Sequence, residues 1–428
     1  MKSIEISPAP GPIVGKIRPP GSKSITNRAL VCAALATGPT MLRGALDSDD
    51  TQVMVGALKT LGLDVEHDKV QRTIRVVGCG GHIPAKKADL FIGNSGTTVR
   101  FLAAMLAAAE GEFRLHGTPR MHERPIQDLI DAVGRLGGRI ESENKTGCPP
   151  IIVHGAGLKG GNSTVRGDVS SQFLSGLLMA APYAKLPIEL TVESSLVSQP
   201  YIHMTLAVMK SFGIATPQQS DLTRFTIPLG HYTGCAYEVE PDASAASYFF
   251  AAAAITGGRV TVEGLTRQAL QGDVGFVDAL ERMGCEVTES AAGITVVGRP
   301  LKGIDIDMNA VSDTMQTLAP VALFADGPTT IRGVAHNRHK ETDRIHAVAV
   351  ELRKLGVEVE EFDDGLKITP NVSKLHGAEI DTYDDHRMAM SFALVGLKVP
   401  GVVIRDPDCT RKTYPEFFAD LAAVGQAK

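Results

Sequence analysis

One phrase recurs along the chain: an apolar-periodic helical run, an apolar residue, a glycine, and then a short stretch in which charged and apolar residues alternate. It reads ALKTLGLDVE, DAVGRLGGRIE, LAVMKSFGIAT, ALERMGCEVTE and ELRKLGVEVEE. The glycines are Gly62, Gly137, Gly213, Gly284 and Gly356, with a clipped sixth copy, LAAVGQAK, at Gly425; neighbours lie 69 to 76 residues apart. Glycine adopts positive φ readily, and helices often end on such a residue. Each of these glycines is therefore expected just past a helix. A second phrase keeps the same beat, an Ala-rich helix, a turn, a β-branched strand and a glycine. It is seen in LAALATGPTMLRG, AAAAITGGRVTVEG and VALFADGPTTIRG, which end at Gly44, Gly264 and Gly333. Together the two phrases predict an α/β protein of six βαβαββ units.

The ends of the chain bear on closure. Five units follow their glycine with a strand pair, as in GCEVTESAAGITVVG, whereas the sixth stops at Lys428 without one. The N-terminal ISPAPGPIVGKIRPPG looks like spare strand material. The N-terminus is thus expected to complete the last unit, which makes the C-terminal domain discontinuous. A solenoid of the same period would instead need capped termini.

Composition narrows the function class. A chain of 428 residues allows roughly two to four domains. A net charge of −5 argues against a nucleic-acid partner, whose electrostatic footprint would be basic. The cysteines at 32, 79, 148, 235, 285 and 409 form no CxxC pair, so free thiols in a reducing compartment are expected. The start, MKSIEISPAP, carries no apolar signal segment, and the apolar run 249–255 is too short to span a bilayer. A cytoplasmic protein without a membrane partner is expected.

Candidate chemistry collects where the first helix of each unit should begin: GSKSITNR (21–28), GNSGTTVR (93–100), DVSSQF (168–173), DASAAS (242–247), SDT (312–314) and YDDHR (383–387). Ser, Asn, Asp and Thr are good N-caps, so all six are read as helix starts. A helix start offers unpaired N–H groups and roughly half a positive charge, which favours anions. Basic residues fall in the same places: Lys23 and Arg28, Arg100, and Arg387. The loops PRMHERP (Arg120, Arg124), HNRHKETDR (Arg338, Lys340, Arg344) and CTRKTYP (Arg411, Lys412) add more. Arginine grips carboxylate and phosphate bidentately, so the implied substrates are polyanions.

Other motifs fail their context. GSKS resembles the end of a P-loop, but the first glycine that motif demands is Lys16. Gly155, Gly157 and Gly160 spell GxGxxG, yet GNSTVRGD after them is not helical. No HxxxH or Cys/His pair suggests a metal, and His386 beside Arg387 fits an anion site better than a metal one.

The motifs quoted, together with VSSQFLSGLLMAAP, SQPYI, EPDASAASYFFAAAAI, QGD, HKETDRI, DDHRMAMSFALV and CTRKTYPEFF, closely resemble the EPSP synthase family of enolpyruvyl transferases over essentially the whole chain. The resemblance implies a two-domain inside-out α/β barrel with three βαβαββ repeats per domain, residues 22–240 forming one and 1–21 with 241–428 the other. It places the active site in the cleft between them, in a monomer that uses no cofactor or metal. The implied substrates are phosphoenolpyruvate and shikimate 3-phosphate. Shikimate 3-phosphate would be held by Lys23, Ser24, Arg28, Ser170, Ser171, Gln172, Ser198, Tyr201, Asp313 and Lys340. Phosphoenolpyruvate would be held by Lys23, Asn94, Gly96, Arg124, Gln172, Arg344, Arg387 and Lys412. Asp313 and Glu341 match the family's acid–base pair, and Lys23 is a competing proton donor to carbon.

The chain departs from the family's pattern at three places. His336 stands where Asn is common, which alters one substrate contact. Phe101 replaces a common Pro after Arg100 and is expected to tilt the helix that bears Gly96. Ser95 replaces the usual Ala. Gly96 leaves space in the phosphoenolpyruvate pocket, so sensitivity to glyphosate is expected. The sister enzymes acting on UDP-N-acetylglucosamine typically carry a catalytic Cys in the loop that is here GEFRLHGTPRMHERP, which has none. RNA 3′-phosphate cyclases would use ATP and a nucleophilic His, and a clamp-like scaffold would spread its cations along a channel rather than at helix starts.

Overall fold

Residues 2–426 are described by the computed structural model; Ala427 and Lys428, the end of the clipped sixth phrase, lie outside them. The chain divides into two units, Gly21–Val239 and Met1–Pro20 with Glu240–Lys428. All six cysteines are free thiols. Among the described residues no helix is long and apolar enough to cross a membrane.

In the unit Gly21–Val239 three sheets repeat one order, a parallel pair followed by antiparallel strands. Lys87–Phe91 runs parallel to Glu110–His116, which pairs antiparallel with Ile151–Ala156 and through it with Arg139–Ser142. Gly161–Val165 runs parallel to Ile188–Val192, with Arg224–Ile227 antiparallel beyond. A parallel pair needs a crossover, and the helices Gly96–Ala107 and Ser171–Ala180 supply it. The remaining sheet is built on Thr37–Arg43, antiparallel to Thr73–Cys79, with Asp64–Asp68 outside it. Its parallel partner is Ala236–Glu238, a strand from the far end of the same unit.

The other unit follows the same plan. Asp305–Asp307 lies parallel to Thr329–Arg332, followed by Gly365–Thr369 and Glu358–Phe362. Arg259–Glu263 takes its parallel partner, Val14–Ile17, from the N-terminal segment, and Gly293–Val297 with Glu286–Ser290 completes that sheet. Val403–Arg405 lies parallel to Glu379–Ile380 and antiparallel to Ser3–Glu5. The N-terminal segment therefore contributes one strand to each of two sheets.

Two kinds of helix follow from two kinds of sequence. The crossover helices are mostly apolar, are buried on every face and lie in the cores. All residues of Gly96–Ala107, Met315–Ala322 and His386–Gly396 are buried, as are all but Thr256 of Ala243–Thr256. The second helix of each unit is one-sided: in Gln127–Arg135, Leu129, Ala132 and Val133 face inward while Gln127, Asp131 and Arg135 face water. Strands alternate likewise, with Ile188, Leu190 and Val192 buried.

The glycines of the first phrase have positive φ at Gly62 (87°), Gly137 (82°), Gly213 (93°), Gly284 (110°) and Gly356 (84°). Gly425 differs, since it lies inside the helix Phe417–Gln426 rather than after it. Gly157 and Gly160 sit between the strands Ile151–Ala156 and Gly161–Val165, with no helix following.

Candidate active site

Five of the six expected helix starts carry a side-chain cap. Ser22 accepts from the Ile25 N–H, Ser95 from Thr98, Ser170 from Gln172, Asp242 from Ala245 and Asp385 from Arg387. The start at 312–314 is different. Ser312, Asp313 and Thr314 lie in the 3-10 turn Asn309–Thr314, and Thr314 precedes the helix without a side-chain cap. The Thr314 hydroxyl donates instead to the Val311 carbonyl at 2.8 Å, and the Asp313 carboxylate is engaged by arginines.

In the unit Gly21–Val239, Lys23 opens the first helix with its ammonium 3.8 Å from the Asp50 carboxylate. Arg28, one turn on, is 1% exposed. Its Nε donates to Thr205 Oγ1 at 2.7 Å, Nη1 to the Ser24 carbonyl at 3.0 Å, and Nη2 to Ser175 Oγ at 3.2 Å and the Tyr201 carbonyl at 3.3 Å. The guanidinium lies 5.2 Å from the Phe101 ring centre and 5.8 Å from that of Tyr201. Burial pulls its pKa down to about 10, still a cation at neutral pH. Four of its five N–H groups are used within the protein. Phe101 causes no break in the helix Gly96–Ala107; its fully buried ring backs the Arg28 guanidinium.

The next two helix starts are tied together. Gln172 accepts from Arg100 Nη1 at 2.7 Å and donates through Nε2 to Thr97 Oγ1 at 3.3 Å. Arg100 also donates to the Pro125 carbonyl at 3.1 Å and lies over Phe173. Arg124 Nη1 donates to the Asn94 carbonyl at 2.9 Å and to its Oδ1 at 3.2 Å. A Cβ on Gly96 would come within 2.7 Å of the Arg124 Cζ, so the missing side chain is what lets Arg124 lie across this helix start. Ser171 and Ser198 are buried, and Ser198 holds a left-handed backbone (φ 53°) while its carbonyl accepts from the Tyr201 N–H at 3.0 Å.

The unit that contains residues 240–428 gathers charge of both signs. Asp313 accepts from Arg344 Nη1 at 3.1 Å and Arg387 Nη2 at 2.7 Å, with the Lys340 ammonium 3.7 Å away. Glu341 accepts from Arg344 Nη2 at 2.8 Å and pairs with the Lys412 ammonium at 3.1 Å. Asp385 accepts from Arg344 Nε at 2.8 Å. Burial alone would pull the Arg344 guanidinium down, but Asp385, Glu341 and Asp313 outweigh it and hold the group above its usual range. Four cations thus meet three carboxylates in direct contact, a set of donors suited to an anionic guest.

Not every cation in the motif loops joins this cluster. Arg338 donates to Asp343 at 2.7 Å and Glu361 at 3.0 Å, and to the carbonyls of Phe362 and Asp363. Arg120 pairs with Glu123 at 2.7 Å, and Arg411 is exposed. His386 is turned into the core, where burial holds its pKa well below the usual imidazole range, so it adds no charge for an anion. His336 is 4% exposed, and burial pushes it down to about 3. Sequence reading gives no role to Asp50, places Arg100 only among the cations at helix starts, and takes Asp385 only as part of one such start. Asp385 reads as a cap, and its second bond, to a residue 41 positions away, leaves no local mark.

A family model described as EPSP synthase (3-phosphoshikimate 1-carboxyvinyltransferase) matches residues 8–421 of the chain. A 3-phosphoshikimate 1-carboxyvinyltransferase of Nostoc punctiforme is 50% identical over 420 residues, covering 98% of each chain. A protein of the same name from Shewanella denitrificans is 47% identical over 429 residues, covering 100% of each. Among solved structures, an EPSP synthase from Acinetobacter baumannii superimposes with a TM-score of 0.82 at 27% identity, covering 99% of this chain and 98% of that one.

Proposed function

This chain belongs to the EPSP synthase family, and from that membership we propose the reaction of its polar clusters. It transfers the enolpyruvyl group of phosphoenolpyruvate to the 5-hydroxyl of shikimate 3-phosphate and releases phosphate, a step of aromatic amino-acid biosynthesis. The 5-hydroxyl oxygen attacks C2 of phosphoenolpyruvate while C3 takes a proton, giving a tetrahedral ketal phosphate. C3 then returns a proton, the C2–O bond to phosphate breaks, and the double bond is restored.

The observation that carries this reading is the setting of Asp313, a carboxylate faced by Arg344, Arg387 and Lys340. A base must lie within hydrogen-bond reach of the hydroxyl it deprotonates, and the cations around it suit the anions brought there. Asp313 is assigned as that base. Glu341 or Lys23 delivers the proton to C3. Both oxygens of Glu341 already face cationic donors, so a proton on it must displace one of them. Asn94, Gly96, Arg124 and Gln172 of one unit, with Lys23, and Arg344, Arg387 and Lys412 of the other hold phosphoenolpyruvate. Lys23, Ser24, Arg28, Ser170, Ser171, Gln172, Ser198, Tyr201, Asp313 and Lys340 hold shikimate 3-phosphate. In this reading Arg28 offers its field and one N–H, since its other donors are occupied.

The assignments draw on residues of both units, and the reading makes the protein a cytoplasmic monomer that needs no cofactor. Glyphosate competes at the phosphoenolpyruvate position beside Gly96. The direct test mixes the protein with both substrates and follows phosphate release and product mass. No release with shikimate 3-phosphate, or turnover with UDP-N-acetylglucosamine instead, sinks the reading.

A further inference from the structure

Arg387 has a second set of contacts that the reaction scheme does not use. It sits in the first turn of the helix His386–Gly396, and Ser244 in the first turn of Ala243–Thr256. Arg387 Nη2 donates to Asp313 Oδ2 at 2.7 Å and also reaches Ser244 Oγ at 3.4 Å, while Nη1 reaches the Tyr248 hydroxyl at 3.5 Å. The Ser244 hydroxyl donates to Asp273, in the 3-10 turn Gly272–Gly275. Ser244, Asp273 and Arg387 are 7%, 4% and 5% exposed, so water competes little for these bonds.

We infer that Asp273, acting through Ser244, is a positioning residue for Arg387. A serine hydroxyl has one proton and rotates freely when nothing holds it. Donation to a buried carboxylate commits that proton, and the lone pairs of Ser244 Oγ are left to face the guanidinium. Without Asp273 the hydroxyl would present its proton to Arg387 part of the time and repel it. The second anchor matters because the other partner of Nη2 is Asp313. If Asp313 serves as the base, it exchanges its arginine contacts for the substrate hydroxyl during turnover. Arg387 then keeps its place through Ser244, Asp273 and Tyr248. The inference rests on the assignment of Arg387 to phosphoenolpyruvate.

The test is steady-state kinetics on Ser244→Ala, Asp273→Asn and the double variant, with melting temperatures. Loss of one charge-assisted hydrogen bond raises KM for phosphoenolpyruvate about tenfold. KM for shikimate 3-phosphate stays within about twofold, since that substrate does not depend on Arg387. Because Asp273 acts through Ser244, the double variant behaves like Ser244→Ala alone, and Ser244→Thr, which keeps the hydroxyl, recovers most of the loss. An unchanged KM in both folded single variants overturns the inference. So do effects that multiply in the double variant, or KM values that rise equally for both substrates. Should Asp273→Asn fail to fold, Ser244→Ala and Ser244→Thr decide the matter by themselves. Arg387→Ala separates the two levels: if it leaves KM for phosphoenolpyruvate unchanged, the assignment of Arg387 falls. If it raises KM while the Ser244 and Asp273 variants do not, only the inference falls.

Discussion

Arg344 donates through Nε to Asp385 at 2.8 Å, and the two side chains are 2% and 0% exposed. Asp385 is also the cap of the helix that carries Arg387, so one carboxylate holds one guanidinium group and the backbone start of the helix that bears another. Removing one partner of a buried ion pair costs about 3–5 kcal/mol because the other charge is left uncompensated. Asp385→Ala is therefore expected to lower the unfolding free energy from urea titration by that amount and to abolish turnover. A variant that melts like the wild type would show that the pair is not needed.

Gly96→Ala is a cleaner probe of the other unit. Its added Cβ presses on the Arg124 guanidinium, the far end of a side chain that is otherwise buried. Gly96 does not have a positive φ, and alanine suits a helix better than glycine, so stability should hold or rise slightly. The expected result is an unchanged melting temperature, a raised KM for phosphoenolpyruvate and inhibition by glyphosate weakened by more than about tenfold. Indifference of the wild type to millimolar glyphosate would refute the premise.

His336 sets an acid limit. Burial lowers its pKa from the ordinary 6.5 to about 3, with Lys340 adding to the shift and Asp313 opposing it. Below pH 6.5 the unfolded chain takes up a proton that the folded one refuses until about pH 3. Stability is thus fully present above 6.5 and falls with acid through that window, by about 1.4 kcal/mol per pH unit from this group. His336→Asn should lose stability less steeply between pH 6.5 and 4 in urea titrations. Parallel slopes for the two proteins would be the contrary result.

Tyr383 and Asp384 both hold left-handed backbone, at φ 55° and 54°, immediately before Asp385. Such residues persist only where their surroundings over-determine them. Glu351, fully buried, does this: it accepts from the Tyr383 hydroxyl at 2.6 Å and the Asp381 N–H at 3.1 Å, and pairs with Lys354 at 2.8 Å. Glu351→Ala is expected to cost about 2 kcal/mol, less than a sealed pair because Lys354 is a third exposed. Activity should fall further than stability accounts for, since the loop aims Arg387. Full activity in the folded fraction would rule out that role.

The parts legible in the sequence are those with a local cause. Glycine after a helix is demanded by backbone geometry within a few residues, so Gly62, Gly137 and Gly213 announce the repeat, and Ser22, Ser95 and Ser170 announce their helices. The local pattern marks Asp313 only as part of a helix start, and its role comes from the family resemblance; its carboxylate is engaged by Arg344 and Arg387, and the turn around it changes accordingly. Arg338 and Arg344 are equivalent by sequence pattern, yet one meets Asp343 and Glu361 and the other the site. Which partner faces a loop depends on strands brought from distant parts of the chain. The same holds for Asp273, whose bond to Ser244 spans 29 positions.

The strand Ser3–Glu5 pairs with Val403–Arg405. A ribosome makes the first of these long before the second. The opening strand has no register to join for most of synthesis, whereas Gly21–Val239 contains every strand its three sheets require well before the chain is released. One lobe can mature while the other waits for Val403–Arg405, and an arrest before that strand would leave Ser3–Glu5 as an unpaired edge.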